Sequence, residues 1–347
     1  MQRRCWLALA GAVAVLAGVF LTSCGRGSRR EVVVFCALDS VYSEPVLREF
    51  ERRTGIAVSP KFDSEATKTV GLTSILLDQH RRGPVRCDVF WNNEVMQTVR
   101  LKRAGALEPY VSPAAADIPG AFKDPDGHWT GFAARARVIV YNKNLVPERL
   151  RPRTIWALAD PRWKGKAAIA RPLAGTTATH AAALFSVWGE KQAKVYFEQL
   201  LANDVHIALG NANVRDLVVA GRMHIGLTDT DDVASAIGRG DPVGMIIPGQ
   251  GDSPADMGTL VIPNTVAVMK GCPHPEEARK LVDYILSAEV EERLARCPSA
   301  QIPVRPGVPG GGVTPALDDI RAVAVDYEKV AAKAEEVAEY LRQNFRR

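Results

Sequence analysis

A chain of 347 residues and 37.6 kDa holds roughly two or three domains. Its 47% hydrophobic and 24% charged residues, with a mean hydropathy of -0.06, exclude disorder through the bulk and a polytopic membrane protein. The formal net charge is +5, yet no Lys/Arg block or aromatic-flanked basic motif concentrates it, which argues against a nucleic-acid partner.

Met1 to Arg4 form a short positive region and Leu7 to Phe20 an apolar one. Together they read as a secretory signal over residues 1–23, too short and wrongly flanked for a lasting membrane span. Leu21-Thr22-Ser23-Cys24 resembles a bacterial lipobox. That resemblance implies lipidation of Cys24 with at least two acyl chains, enough for stable anchoring. A plain secretory signal with an incidental cysteine is the other reading. Losing Arg3 and Arg4 with the signal lowers the net charge from +5 to +3. Residues 24–30 then form a flexible tether, whose Arg26, Arg29 and Arg30 suit an anionic lipid surface.

The body opens with Glu31 to Cys36, a continuous apolar run that fits a strand buried on both faces. A helix capped by Ser43 runs through Phe50 and closes at Gly55. Ile56 to Phe62 is the next strand, Thr67 to His80 a helix, Cys87 to Trp91 a third strand and Glu94 to Ala104 a third helix. Val138 to Asn142 reads as a strand, Trp156 to Ala159 as a short helix and Ala167 to Ala170 as a strand. Ala181 to Trp188, Glu190 to Leu201 and Val214 to Ala220 read as helices, and His224 to Thr228 as a strand. Leu260 to Ile262 and Thr265 to Met269 are strands around Pro263-Asn264. Pro275 to Leu286 and Ala288 to Ala295 are helices, Pro303 to Gly312 a linker and Asp326 to Phe345 a final helix. Alternating strands and helices with short loops predict an α/β protein.

Cys36, Cys87, Cys272 and Cys297 remain in a compartment that permits disulfides, and four cysteines allow three pairings. If the two helices after Pro275 fold back on each other, Cys272 and Cys297 meet at their open ends. Cys36 and Cys87 either pair or stay as small buried hydrophobes. No C-x-x-C spacing supports zinc.

Several stretches carry a resemblance. They are Val-Val-Val-Phe-Cys-Ala-Leu-Asp-Ser from Val32, Cys-Asp-Val-Phe-Trp-Asn from Cys87 and Gly-Phe-Ala-Ala-Arg-Ala-Arg-Val-Ile-Val-Tyr-Asn from Gly131. Leu-Ala-Asp-Pro-Arg-Trp-Lys-Gly-Lys from Leu158, Gly-Leu-Thr-Asp-Thr-Asp-Asp from Gly226 and His-Pro-Glu-Glu-Ala-Arg-Lys-Leu from His274 complete the set. The chain resembles bacterial extracellular solute-binding proteins of ABC importers, in their ferric-ion-binding branch. The resemblance spans nearly all of residues 31–300. It implies the type II periplasmic-binding-protein fold, two lobes each with a mostly parallel sheet flanked by helices. Lobe one is expected at 31–134 and 264–300, lobe two at 138–262, and a linker with C-terminal helices at 301–347. It implies a periplasmic or extracellular monomer that hands one ligand to a permease and its ATPase. A bound metal ion would be cargo, and no cofactor is expected.

Ferric-ion binders carry a Tyr-Tyr pair after the strand that corresponds to His224–Thr228. Here Asp231 and Asp232 stand there. Carboxylates are hard ligands for multivalent metal ions, and they serve an ammonium group equally through charge-assisted hydrogen bonds. The dense acidity of Asp229, Asp231 and Asp232 therefore predicts a metal ion or a small cationic solute. Loops at the C-terminal ends of strands form the ligand crevice of such sheets. That places Asp39 and Ser40, Glu65, and Trp91 with Asn92 and Asn93 among the candidates. Gly175-Thr176-Thr177 opens a helix, where backbone N–H groups suit an anion, with Arg135 or Arg137 beside it. Asp229 fits a helix cap equally well, Trp91 a core position, and Arg137 a structural ion pair.

Two other functions compete. Asp229-Thr230-Asp231 fits the Asp-x-Asp pattern of Mg²⁺-dependent phosphatases with an aspartyl nucleophile, but too little chain follows it for that core. A ligand-sensing lipoprotein feeding a membrane receptor is the third reading. The chain has no P-loop and no Gly-x-Ser-x-Gly, and the expectation is a binding protein and not an enzyme.

Overall fold

The computed structural model describes residues 30–63, 70–253 and 255–345. The described residues from Glu31 onward form one compact unit. β1 (Glu31–Cys36) lies between β2 (Ala57–Phe62) and β3 (Val89–Asn92), parallel to both. Its Val32, Val34 and Cys36 are buried, as the apolar run requires. α1 (Ser40–Thr54) starts three residues before the expected cap and ends at Gly55, where φ is 68°. Its Ser43, Val46, Leu47 and Phe50 repeat at the spacing of one buried helix face. α2 (Val70–Arg82) and α3 (Met96–Arg103) flank the same strands, and β4 (Leu107–Glu108) is a short edge piece.

Two long strands carry the chain across the molecule. β5 (Thr130–Asn142) and β10 (Val261–Met269) are buried along their whole length. They pair antiparallel, and the register shifts between Ile262 and Asn264. Pro263 explains the shift, because it offers no N–H to the ladder. The two short strands expected around Pro263 are therefore one strand. The strand expected at Val138 begins eight residues earlier, at Thr130. Past Arg137, β5 leaves β10 and pairs with β8 (Ile225–Asp229) and β9 (Val243–Ile246). β8 is parallel to β6 (Ala167–Ala170), and β6 to β7 (His206–Ala208). The order is β2-β1-β3-β10-β5-β8-β6-β7, with β4 on β10 and β9 on β5. β7 and β9 are too short to announce themselves in sequence.

β5 changes partner close to a strained residue. Ala133 has φ of 39°, a conformation that costs a non-glycine residue about 1–3 kcal/mol. Both of its peptide groups are held by buried side chains. Its N–H donates to Glu291 Oε1 at 2.8 Å, and its carbonyl accepts from Asn264 Nδ2.

α4 (Gly175–Val187), α5 (Glu190–Ala202), α6 (Asn211–Val219) and α7 (Thr230–Gly238) surround the second group of strands. α4 starts six residues before the expected helix. α6 lies so close to β8 that a Cβ on Gly226 would collide with Val214. α8 (Pro275–Ile285) and α9 (Ala288–Arg296) follow β10 as expected, and α10 (Tyr327–Asn344) ends the chain. α10 packs Val330 against residues of α3, and Val337 and Leu341 against residues of α4 and α5. Each such burial contributes about 1.5–3 kcal/mol.

The pairing of Cys272 with Cys297 is not formed, and both thiols are free, as are Cys36 and Cys87. Cys272 follows the end of β10, which lies beside the start of β3. Cys297 sits beside Ser299, which lines the cavity at the opposite ends of those strands. The helix pair holds its two cysteines apart. Cys24 and Glu65 lie outside the described residues. Among the described residues, no helix is long and apolar enough to cross a membrane.

Candidate functional site

The C-terminal ends of the parallel strands open onto a cavity of about 310 Å³. The β1–α1 turn supplies Asp39 and Tyr42, the turn after β3 supplies Asn93, and β5 supplies Arg135. The opposite wall carries Arg171, the first residues of α4 (Gly175, Thr176, Thr177), Asn211 and Arg215 of α6, and Asp229, Asp231, Asp232 and Ser235. The N-termini of α1, α4, α6 and α7, each a source of unpaired backbone N–H groups and positive dipole, thus share a cavity with four carboxylates.

Asp229 is the keystone of that wall. It is 2% exposed, and its Oδ1 accepts from Arg137 Nη1 at 2.6 Å. Its Oδ2 accepts from Thr176 Oγ1 at 2.5 Å and from Asn211 Nδ2 at 2.8 Å. One carboxylate therefore ties β5 and the starts of α4 and α6 to the end of β8. It occupies the N-cap position of α7 but makes no side-chain capping bond. Arg137 is 1% exposed. It also donates to Thr176 and Thr177 at 3.2 and 3.4 Å, so it supports the wall from behind and does not line it. An aspartyl nucleophile needs an accessible oxygen. Asp229 has both oxygens engaged, so the phosphatase reading fails here.

Asp231 and Asp232 stand on the first turn of α7 and line the cavity. Asp231 Oδ2 is 3.6 Å from Arg135 Nε, and Asp232 Oδ1 is 3.6 Å from Arg215 Nη1. Thr228 Oγ1 donates to Asp232 Oδ2 at 3.0 Å. One carboxylate oxygen from each of Asp229, Asp231 and Asp232 lies within 4.8 Å of the others, the spacing of a metal-binding group. Tyr42 faces this cluster. Burial, with Asp231, Asp39 and Cys297 adding, raises its phenol pKa above the ordinary range against a hydrogen bond with Ser235.

A second acidic group, Asp124, Asp126 and His128, is filled by a lysine. Lys102 Nζ lies 2.5 Å from Asp124 Oδ1 and 3.0 Å from Asp126 Oδ2.

Of the expected ligand contacts, Asp39, Gly175, Thr176, Thr177, Asp229, Asp231 and Asp232 line the cavity. Ser40 is exposed and off the wall. Trp91 is fully buried, its ring 5.6 Å from that of Phe132, so it is a core residue. Asn92 is fully buried too and donates to the Glu94 carbonyl at 2.5 Å, where it shapes the approach to α3. Asn93, expected with them at the end of the third strand, does line the cavity, whereas Tyr42, Arg171, Asn211 and Arg215 were not anticipated. Tyr42 follows Asp39 by three residues on one helix face, and Asn211 follows Gly210 at a helix start. Both signals were present in the sequence.

An α/β molecule whose two groups of strands are joined by the long strands β5 and β10, with a polar cavity at the strand ends, is built to hold a small solute. A sequence profile described as bacterial extracellular solute-binding protein matches residues 88–331, and the chain belongs to that family. It has the type II periplasmic-binding-protein fold and is the substrate-binding subunit of an ABC importer, not an enzyme. "Iron uptake protein A1" of Synechocystis sp. is 27% identical over 333 residues, covering 89% of this chain and 88% of the relative. The "Major ferric iron-binding protein" of Neisseria meningitidis serogroup B is 24% identical, covering 80% and 82%. The crystal structure of iron-bound HitA from Pseudomonas aeruginosa superposes with a TM-score of 0.79 at 23% identity, covering 89% of this chain and 98% of the other. The family is extracellular by that description, and the chain works outside the cytoplasmic membrane.

Proposed function

We propose that this subunit captures a metal ion of the ferric type, or a small cationic solute, and hands it to its permease and ATPase. The observation that carries the reading is the group of Asp229, Asp231 and Asp232 oxygens within 4.8 Å on a cavity that also holds Asp39 and Tyr42. Oxygen donors of this kind suit hard, multivalent cations. Asp231 and Asp232 carry the contact, because Asp229 is already committed to Arg137. Tyr42 adds a phenol from the facing side of the cleft, although the adjacent Tyr-Tyr pair of ferric-ion binders is replaced by Asp231-Asp232. The starts of α4 and α6 suit an anion that accompanies the ion.

The ligand is cargo and not a resident cofactor. Closure by hinge motion brings lobe one, residues 31–134 and 264–300, against lobe two, residues 138–262. Cys24 anchors the mature monomer to the membrane through lipid, and a Cys24→Ser form is expected in the soluble fraction. The binding reading is tested by thermal melting with Fe(III) citrate, Mn²⁺ and ethylammonium. A rise in melting temperature that Asp231→Asn with Asp232→Asn abolishes supports it. A rise untouched by that double substitution moves the ligand elsewhere.

A further inference from the structure

The acidic cluster is not an open negative site, because each of its carboxylates faces an arginine. Asp229 pairs with Arg137, Asp232 with Arg215 and Asp231 with Arg135. Two of these arginines have other work. Arg137 holds Thr176 and Thr177, and Arg215 bonds Asp216 at 2.8 Å. Of the three, only Arg135 is both buried and on the cavity wall. It is 3% exposed yet lines the cavity. Its Nη2 donates to Asn264 Oδ1 at 3.3 Å. Its Nε, 3.6 Å from Asp231, makes no hydrogen bond among the described residues, which is also true of Arg137 Nε, but only Arg135 carries that donor on the cavity wall. A buried donor left unsatisfied is a feature that needs a reason. Burial works against the Arg135 charge, and Asp231, Asp229, Asp39 and Asp232 together outweigh burial and favour it.

We propose that Arg135 is the specificity-determining residue of the cleft, a tethered cation that neutralises the acidic cluster while it is empty and so admits a multivalent metal ion but not a monovalent ammonium. The proposal rests on the reading of the cleft as a cation site and narrows it. An incoming ammonium carries the same single charge as the guanidinium it must outcompete for Asp231. It gains no Coulomb energy over Arg135, and it leaves a buried arginine without its carboxylate, which is costly. An ion of charge two or three gains two- or three-fold more from the same oxygens, and that surplus displaces the arginine. The backbone of Arg135 stays beside the cluster, and only its side chain has to turn away. That backbone is fixed on β5, whose next residue, Ala136, donates its N–H to Thr230 Oγ1 at 3.1 Å, one residue before Asp231.

The test uses the mature chain with Mn²⁺ and ethylammonium as probes in isothermal titration. Wild type is expected to bind Mn²⁺ and to ignore ethylammonium up to about 10 mM. Arg135→Met, which removes the charge and keeps much of the volume, is expected to tighten Mn²⁺ by about ten-fold or more. It is also expected to bind ethylammonium. Arg135→Lys, which keeps the charge, is expected to shift Mn²⁺ affinity less than Arg135→Met. An Arg135→Met chain that folds and binds Mn²⁺ no tighter overturns the proposal and leaves the cation reading standing. Ethylammonium binding by wild type as tight as Mn²⁺ overturns it without any variant. If neither protein binds either probe, the cation reading falls first and this proposal with it.

Discussion

Replacing Asp229 by Asn separates structural from ligand-binding acidity in one comparison. The substitution keeps the shape and removes the charge that Arg137 contacts at 2.6 Å. Arg137 is then a guanidinium 1% exposed without a carboxylate at its side. Breaking a buried ion pair by removing one partner costs about 3–5 kcal/mol. The new amide nitrogen also faces two donors, Thr176 Oγ1 and Asn211 Nδ2, where a carboxylate oxygen accepted from both. Asp231→Asn is the control. Its carboxyl is 19% exposed and 3.6 Å from Arg135, a longer and wetter contact, so its loss is expected to cost less, about 1–2 kcal/mol. Urea unfolding measures both, with an unchanged slope showing that the transition remains comparable. If Asp229→Asn loses less than about 1 kcal/mol, or no more than Asp231→Asn, Asp229 is not the keystone of the wall.

Three further outcomes follow from the same structure. Gly226→Ala forces a methyl into Val214 and is expected to lose about 1–3 kcal/mol in urea unfolding; a neutral result would show that α6 moves freely on β8. His180 is buried, and burial, with Arg137 adding, holds its pKa well below 6.5. The unfolded chain therefore binds a proton that the folded chain refuses, so stability is full above about pH 6.5 and falls below it by up to about 1.4 kcal/mol per pH unit. His180→Phe should remove that part of the slope, and an unchanged pH profile would contradict the assignment. For the cysteines, a maleimide reagent is expected to label the partly exposed Cys297 and, more slowly, Cys272, whose thiol burial pushes up to about 11. It should spare Cys36, whose thiol burial pushes up to about 12, and Cys87, until the chain is unfolded; a disulfide found by mass spectrometry would refute the free-thiol state.

The alternation of strands and helices was legible in the sequence because each element carries its own period and caps. Ala167–Ala170 and the helices from Pro275 and Ala288 were placed nearly to the residue. The crossing was less legible. Pro263 reads as an interruption locally, and only pairing with β5 turns it into a register shift within one strand. The site divides in the same way. Asp229, Asp231 and Asp232 announce themselves as a cluster, but what each one does depends on arginines 92, 96 and 17 residues away. No local pattern reports those distances. Trp91 and Asn92 stand at the right place in the chain, at the end of β3. They point inward because that strand is buried on both faces, whereas Asn93, one residue on, reaches the cavity.

The central claim is tested most directly by crystals of the mature protein grown with Mn²⁺ and measured at the manganese edge. The account predicts one anomalous peak per chain, bonded to Asp231 and Asp232 with Arg135 turned off Asp231. A peak elsewhere, or a cavity that stays metal-free at saturating Mn²⁺ while Arg135 keeps its place beside Asp231, would contradict it.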